Sequence, residues 1–292
     1  MSKGLVIFDG GHAKDTKGKV APDKTLYEWD FNNDMQYKLK KRCEDHDLKV
    51  CLTNPNPATV SDIPLSTRAS KANDFYKSNG KHKTIMISLH ANAYGQWTSA
   101  RGVEVFHASN ASQNSKNLAK YLCDQIYTDA KKLDSGFKNR GVKCEDFTVI
   151  YKTITPTCLI EYAFYTNRED LKLLKNEKDM FVEATVKAIC KYFGITYVAP
   201  KKETSSTTNT TSKESTYYRV VTNSYLDRKL ADKEVSELKK LGISAFLDAF
   251  KKDNKTYLRV VAGSYTDRKN AENQLATLKK KGYDPFVAIY KK

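Results

Sequence analysis

The sequence is poor in histidine, and its cysteines form none of the short pairs that common metal and redox motifs require. Only 5 of its 292 residues are histidine, and none of the 6 cysteines belongs to a Cys-x-x-Cys pair. A zinc ribbon and a thioredoxin-like redox site are therefore excluded. No run approaches the ~18 apolar residues that a membrane-spanning helix needs. The five histidines are thus the first residues to consider as metal ligands or catalytic groups.

The N-terminal segment MSKGLVIFDGG also lacks the features of a secretory signal. One lysine precedes a short apolar stretch at residues 5–8, which Asp9 ends. A signal peptide needs an apolar segment of roughly 7–15 residues. The stretch is predicted to be a first strand instead, and we expect the protein to be made in the cytoplasm without a signal peptide. A reducing compartment also suits cysteines that show no pairing pattern.

The chain has a large excess of basic residues. It contains 50 Lys and Arg against 34 Asp and Glu, a formal net charge of +16. The excess is spread along the chain, with 30 basic against 23 acidic residues in 1–196 and 17 against 9 in 217–292. Such a protein is attracted to polyanions, whether nucleic acid, anionic lipid or an anionic cell wall. Charge by itself does not choose among these partners.

Composition divides the chain into two domains. Residues 197–216, YVAPKKETSSTTNTTSKEST, are rich in Ser and Thr and contain almost no large apolar side chain. A segment of this composition cannot bury enough apolar surface to order itself, so it is predicted to be a linker. The predicted domains are residues 1–196 and 217–292.

The second predicted domain is an internal duplication. RVVTNSYLDRK at 219–229 returns as RVVAGSYTDRK at 259–269, a shift of 40 residues. In each copy an apolar run predicts a strand, an aspartate opens a helix, and a glycine ends it before another strand. The predicted topology is βαββαβ, a small α+β unit with one sheet and two helices.

The first predicted domain alternates strands with amphipathic helices. The predicted strands are 4–8, 48–53, 84–89, 103–106 and 157–160, and the predicted helices are 28–44, 65–79, 112–131 and 177–193. This alternation is typical of the α/β class. We therefore expect a mixed sheet that is covered by helices on both faces.

Polar side chains follow three of these strands. His12 comes shortly after the first strand, His90 directly follows strand 84–89, and Glu161 directly follows strand 157–160. Ligand sites in α/β sheets lie beyond the carboxyl ends of strands. Two imidazoles and one carboxylate are a common catalytic zinc set, and Glu28, at the start of a helix, is the best carboxylate for it. The alternative is that these residues bind no metal. Glu28 could be a first-turn carboxylate that faces the helix dipole, and each histidine could be a structural hydrogen-bonding group.

The remaining histidines lack this support. His46 and His82 lie in charged turns, and we expect them at the surface or outside the first ligand shell. His107 ends strand 103–106 and is a weaker second candidate.

The motifs of the first domain resemble those of the zinc-dependent N-acetylmuramoyl-L-alanine amidases that cut bacterial peptidoglycan. VIFDGGHAKDTKG is similar to the opening D-x-G-H-G-G strand of that family, YEWDFNND to its E-x-D-x-N segment, and LSTRASKAND to its R-x-x-x-A-N helix. ISLHANA is similar to S-x-H-x-N-A, and CLIEYAFYTNREDLKLL to the E-x-x-F-x-x-N-x-x-D segment. The resemblance implies that His12, Glu28 and His90 ligate Zn²⁺ and that Glu161 is the catalytic carboxylate.

The C-terminal repeat resembles a SPOR domain, a βαββαβ module that binds peptidoglycan glycan strands. In strand 257–262, alternate residues share a face, so Tyr257 and Arg259 are predicted to point away from the helices. The 40-residue repeat puts Tyr217 and Arg219 on the same outer face. Tyrosine rings stack on sugars and arginine binds carboxylates, so these four residues are candidates for glycan binding. A solubilising role on an ordinary solvent face is the alternative.

Together the resemblances imply a peptidoglycan hydrolase that cleaves the amide between N-acetylmuramic acid and L-alanine with a water activated by zinc. The layout favours a phage endolysin that reaches the cell wall after release by a holin. Peptidoglycan is the expected partner, and neither a nucleic acid, a membrane nor an obligate protein partner is expected. Two alternatives stay open. The metal set alone permits a zinc peptidase that cuts within the stem peptide, and a basic βαββαβ unit could be a non-catalytic RNA-binding module.

Overall fold

The computed structural model describes residues 2–55, 57–58, 61–200, 216–253 and 255–291. The chain divides into two compact units, Met1–Thr204 and Ser205–Lys292. Most of the predicted linker, residues 201–215, lies outside the described residues. We call the first unit the amidase unit, after the family that its motifs resemble, and the second the C-terminal unit.

The amidase unit is built on a six-stranded sheet with the order β2-β1-β3-β6-β4-β5. The strands are β1 (Gly4–Gly10), β2 (Leu48–Leu52), β3 (Thr84–Asn92), β4 (Val103–His107), β5 (Asn139–Cys144) and β6 (Thr157–Phe164). All neighbouring strands are parallel except β4 and β6, which run antiparallel. The carboxyl ends of β1, β3 and β6 therefore meet at one edge of the sheet.

Helices cover both faces of this sheet, as the sequence predicts. The helices are α1 (Glu28–Glu44), α2 (Leu65–Ser78), α3 (Gln113–Leu133), α4 (Thr148–Tyr151), α5 (Arg168–Asn176) and α6 (Lys178–Phe193). Helices α1, α3 and α6 pack on one face, and α2 and α4 on the other. Strand β1 shows the alternation that this requires, because Val6 and Phe8 belong to the first core and Ile7 to the second.

The C-terminal unit has the predicted βαββαβ topology. Its elements are β7 (Thr216–Tyr225), α7 (Arg228–Lys240), β8 (Phe246–Lys252), β9 (Lys255–Tyr265), α8 (Arg268–Lys280) and β10 (Phe286–Lys291). The four strands form an antiparallel sheet in the order β10-β7-β9-β8. Each helix is capped by the predicted aspartate, because Asp227 accepts from the Lys229 amide and Asp267 from the Lys269 amide. The apolar core lies between one face of the sheet and the two helices.

Two details of the strands differ from the sequence-based expectation. Strands β3 and β6 continue to Asn92 and Phe164, so His90 and Glu161 lie inside strands and not just beyond them. Strand β5 is absent from the prediction because its residues, NRGVKC, are mostly exposed on an edge strand and show no apolar alternation.

Within the described part of the chain, no helix is both long and apolar enough to cross a lipid bilayer.

Candidate metal centre and binding face

Three predicted ligands come together at the carboxyl edge of the amidase sheet. His12 lies just beyond β1, Glu28 is the first residue of α1, and His90 lies near the end of β3. One ligand atom from each residue lies within 4.8 Å of the others. Glu28 Oε1 is 3.3 Å from His12 Nε2 and 3.0 Å from His90 Nδ1. The arrangement offers two nitrogen donors and one carboxylate oxygen to a single cation.

The electrostatics of the centre favour a charged carboxylate ligand. Glu28 is almost completely buried, with 2% of its side chain exposed. Burial raises its pKa, but the hydrogen bonds from His12 and His90 outweigh this and hold the pKa well below its ordinary value. Glu28 is therefore ionised at neutral pH. Two imidazoles and an ionised carboxylate match the donor set of catalytic Zn²⁺ sites, which leave a further coordination position open.

Glu161 lies beside these ligands, because it pairs with His90 across the parallel strands β3 and β6. Its Oε2 atom is buried and has no hydrogen-bond partner among the described residues. Burial raises the pKa of Glu161 well above its ordinary value, and the negative charge of Glu28 raises it further. The side chain can thus exchange a proton, which is the property that a general base and acid needs.

The backbone that carries His12 is held by side chains from outside the strand. His12 has a φ of 63°, a left-handed conformation that is costly for a residue other than glycine. Asn54 donates from Nδ2 to the carbonyls of Gly10 and His12, each at 2.9 Å. Asn32 donates to the carbonyl of Gly11 at 3.1 Å. Three consecutive carbonyls next to the ligand are therefore bound by two buried asparagines.

A buried arginine supports the same turn. Arg68 on α2 is 1% exposed and donates to the carbonyl of Gly10 at 2.9 Å. Its charge is compensated by Asp9, 3.4 Å away, and by Asp62, with which it forms an ion pair. The sequence indicated Arg68 only through the R-x-x-x-A-N motif, and no local pattern marked Asn54.

The close approach of two ligand segments explains a glycine at position 11. A Cβ atom built on Gly11 would lie 2.2 Å from Cε1 of His90. No side chain fits in that space, so any substitution at Gly11 would move an imidazole of the metal centre.

One of the other histidines is buried. His46 was expected at the surface or outside the first ligand shell; it does not belong to the cluster of His12, Glu28 and His90, but it is only 3% exposed. Its Nε2 accepts from the Val198 amide at 3.0 Å, and its Nδ1 lies 2.7 Å from the Arg42 carbonyl. It therefore has a structural role where the chain leaves the amidase unit.

In the C-terminal unit, the four residues proposed for glycan binding lie on the sheet face that is opposite the helices. Arg219 stacks on Tyr290 at 3.4 Å from the ring centroid, and Arg259 stacks on Phe250 at 3.7 Å. Tyr217 pairs with Tyr290, and its repeat equivalent Tyr257 pairs with Phe250. Each repeat thus contributes one arginine, and the aromatic ring beneath it comes from the other repeat.

The two arginines differ in one respect. Arg219 Nη1 lies 2.7 Å from Asp248 Oδ2, a charge contact without hydrogen-bond geometry. The residue that corresponds to Asp248 in the second repeat is Ala288. Arg259 has no such ion pair among the described residues, and its Nε is buried without a partner.

Known proteins resemble about two thirds of this chain. A protein named endolysin from Bacillus phage SPP1 is 31% identical over 185 residues, 62% of this chain and 61% of that protein. The N-acetylmuramoyl-L-alanine amidase LytC of Bacillus subtilis is 26% identical over 64% of this chain and 35% of its own length. This chain therefore spans less than two thirds of either relative. A solved N-acetylmuramoyl-L-alanine amidase from Clostridium difficile 630 is 27% identical, with a TM-score of 0.56, over 65% of this chain and 96% of that one.

Family models identify the two units separately. The N-acetylmuramoyl-L-alanine amidase model matches residues 6–191, and the SPOR domain model matches residues 214–288. The first match covers more than half of the chain and includes His12, Glu28, His90 and Glu161. The chain therefore belongs to the N-acetylmuramoyl-L-alanine amidase family and carries a C-terminal SPOR domain.

Proposed function

We propose that this protein is a zinc-dependent peptidoglycan hydrolase that cleaves the amide between the lactyl group of N-acetylmuramic acid and L-alanine. The observation that carries the proposal is the cluster of His12, Glu28 and His90 with Glu161 beside it, in a chain of the amidase family. His12, Glu28 and His90 would hold the metal. When bound, Zn²⁺ acts as a Lewis acid that polarises the scissile carbonyl and makes a water more acidic.

The proton transfers are assigned to Glu161. Its buried Oε2 has no competing hydrogen bond among the described residues, so it is available to accept a proton from the attacking water. The same carboxyl then donates that proton to the nitrogen of the leaving L-alanine, which departs as an amine. A cation bound nearby favours the charged form of Glu161, which counters the effect of burial and of Glu28 on its pKa.

We assign wall attachment to the outer face of the C-terminal sheet. Tyr217, Arg219, Tyr257 and Arg259 form a surface of aromatic rings and stacked guanidinium groups, and the SPOR match supports its use for peptidoglycan. Aromatic rings suit sugar faces and guanidinium groups suit carboxylates. Attachment would raise the local concentration of substrate at the amidase unit.

A role as a phage endolysin, reaching the wall after holin-type release, is the biological setting that we propose. The similarity to the SPP1 endolysin and the net charge of +16, which suits an anionic wall, support it.

End-group analysis of digested cell walls tests the proposed activity. Purified walls are treated with the zinc-loaded protein, and the newly exposed amino termini are identified. We expect L-alanine amino termini and no new reducing sugar ends. New termini from residues within the stem peptide would instead identify a zinc peptidase, which the same metal set would permit.

A further inference from the structure

A groove lies where three segments that leave the metal centre come together. It has a volume of about 420 Å³, and its lining includes Asp23, Trp97, Arg168, Leu171, Lys172 and Lys175. Asp23 is five residues before Glu28, Trp97 is seven after His90, and Arg168 is seven after Glu161. The three segments that line the groove are therefore continuous in sequence with the segments that carry Glu28, His90 and Glu161.

The loop that carries Trp97 is fixed to the segment before α5. The Tyr94 amide donates to Thr166 Oγ1 at 3.0 Å, and the Thr98 amide donates to the Thr166 carbonyl at 2.9 Å. The Asn167 side chain donates to the Thr98 carbonyl at 3.0 Å. These bonds on both sides of Trp97 hold its indole in place beside the first residue of α5.

Arg168 stacks on this indole and has no acidic partner within the described residues. Its guanidinium carbon is 4.1 Å from the centre of the Trp97 ring. The two acidic residues that line the groove are engaged elsewhere, because Glu169 pairs with Lys172 at 2.9 Å and Asp23 accepts from Thr25. Stacking keeps the guanidinium plane fixed while its N–H groups stay available in that plane, which suits bidentate binding of a carboxylate.

We propose that Arg168 binds the α-carboxylate of D-glutamate, the second residue of the stem peptide, and so makes the enzyme selective for stems in which this group is not amidated. The inference rests on the proposed amidase function, since that reaction releases the stem peptide as its leaving group. D-glutamate provides the first carboxylate along that peptide after the scissile amide. Two extended residues span at most about 7 Å, which keeps this carboxylate close to the reacting bond.

The groove could instead bind a sugar ring stacked on Trp97. The two ligands can be told apart by their dependence on the charge of the stem peptide. Sugar stacking is indifferent to amidation of the stem peptide, whereas a guanidinium loses its ionic partner when the carboxylate becomes an amide.

The test compares two soluble muropeptides that differ only in D-glutamate or D-isoglutamine at the second position. We expect the wild-type full-length protein to have a kcat/KM roughly tenfold or more higher for the acid. Arg168→Gln should abolish this preference by lowering kcat/KM for the acid alone, and Arg168→Lys should restore only part of it. Lys120→Gln is the control outside the groove: it removes one positive charge from α3, from a lysine that already pairs with Asp124 at 2.7 Å. Its preference should equal that of the wild type.

Two results would overturn the proposal: a wild-type protein without preference, or an equal loss on both substrates in Arg168→Gln. Binding of the same muropeptides to the Glu161→Gln protein, measured by calorimetry, separates this inference from the amidase function. If the wild-type protein exposed an L-alanine amino terminus in neither substrate, the amidase function would fail. The role of Arg168 would still be decided by the binding measurement. Tighter binding of the acid than of the amide, and loss of this difference with Arg168→Gln, would support it.

Discussion

The two units of this protein build their candidate sites from opposite kinds of sheet. In the amidase unit, the polar groups lie at the end of a mostly parallel sheet and come from segments as far apart as residues 12 and 161. In the C-terminal unit they lie on the open face of an antiparallel sheet, and each repeat supplies one arginine, Arg219 and Arg259, 40 residues apart. Reaction chemistry needs different groups held at one point, whereas attachment to a repetitive polymer is served by the same group presented twice.

Both sites nevertheless retain polar atoms at a cost in stability. Eight buried side-chain polar atoms have no hydrogen-bond partner among the described residues, and six of them belong to Asn32, Asn54, Glu161, Arg219 and Arg259. Such atoms are unfavourable because folding removes their hydration without replacing it. Six of the eight atoms therefore lie at the two candidate sites.

The largest effect, on turnover, is expected from Glu161→Gln. This variant tests whether Glu161 of the amidase unit transfers the proton in the reaction. The amide keeps the shape of the carboxylate but cannot accept a proton, so turnover should fall ~100-fold or more. Zinc content, measured by elemental analysis, should stay at the wild-type level. Loss of zinc in this variant would mean that Glu161 is a ligand, and the division of roles with Glu28 would be wrong.

A smaller effect, a loss of zinc affinity, is expected from Asn54→Ala. This variant tests whether Asn54 holds the turn that carries His12. Removing the two donors to the carbonyls of Gly10 and His12 frees the left-handed turn at His12. We expect zinc affinity, measured by competition with a chelator, to fall about 10-fold or more, as happens when groups that orient ligands are removed. Asn73→Ala is the matched control, since its amide binds the carbonyl of Lys152 outside the centre. Equal zinc affinities in the two variants would rule out the positioning role of Asn54.

The double variant Arg219→Ala with Arg259→Ala tests the repeated surface of the C-terminal unit. Made in the inactive Glu161→Gln protein, it should bind purified walls roughly tenfold or more weakly in a pull-down assay. In the active protein, the same changes should slow lysis of whole cells more than cleavage of soluble muropeptides.

The matched control is Arg228→Ala with Arg268→Ala. These arginines are also 40 residues apart, but they start the two helices and pair with Asp232 and Glu272 at the exposed surface. Wall binding that is equal in both double variants would place the glycan site elsewhere on the unit.

The smallest expected effect is a change in melting temperature. Burial and the charge of Glu28 raise the pKa of Glu161, so the folded protein holds a proton that the unfolded chain loses above about pH 4.5. The stability of metal-free wild type therefore decreases as pH rises above that value. Metal-free Glu161→Gln lacks this penalty and should melt roughly 2–4 °C higher at pH 7. The difference should vanish near pH 3.5, and a lower melting point of the variant at pH 7 would contradict the raised pKa.

The parts of the structure that depend on local sequence pattern could be predicted. The helix predicted at 28–44 has those bounds, and the repeat with Asp227 and Asp267 gave the topology of the C-terminal unit. His12, His90 and Glu161 could be grouped because parallel strands bring their carboxyl ends together, and Glu28 because it starts the helix that follows the first of these strands. Long side chains that cross between elements left no such pattern. Arg68 reaches Gly10 across 58 residues and Asn54 reaches it across 44, so only the folded chain shows their role.

Titration of zinc into the metal-free protein tests the central claim most directly, with release of L-alanine amino termini from purified walls as the readout. We expect no release without metal, full recovery at one equivalent of zinc per chain, and no recovery in His90→Ala, while His82→Ala behaves like the wild type. Release of L-alanine termini by thoroughly metal-free wild type, or recovery by His90→Ala at one equivalent, would contradict the assignment of His12, Glu28 and His90 as the catalytic metal centre.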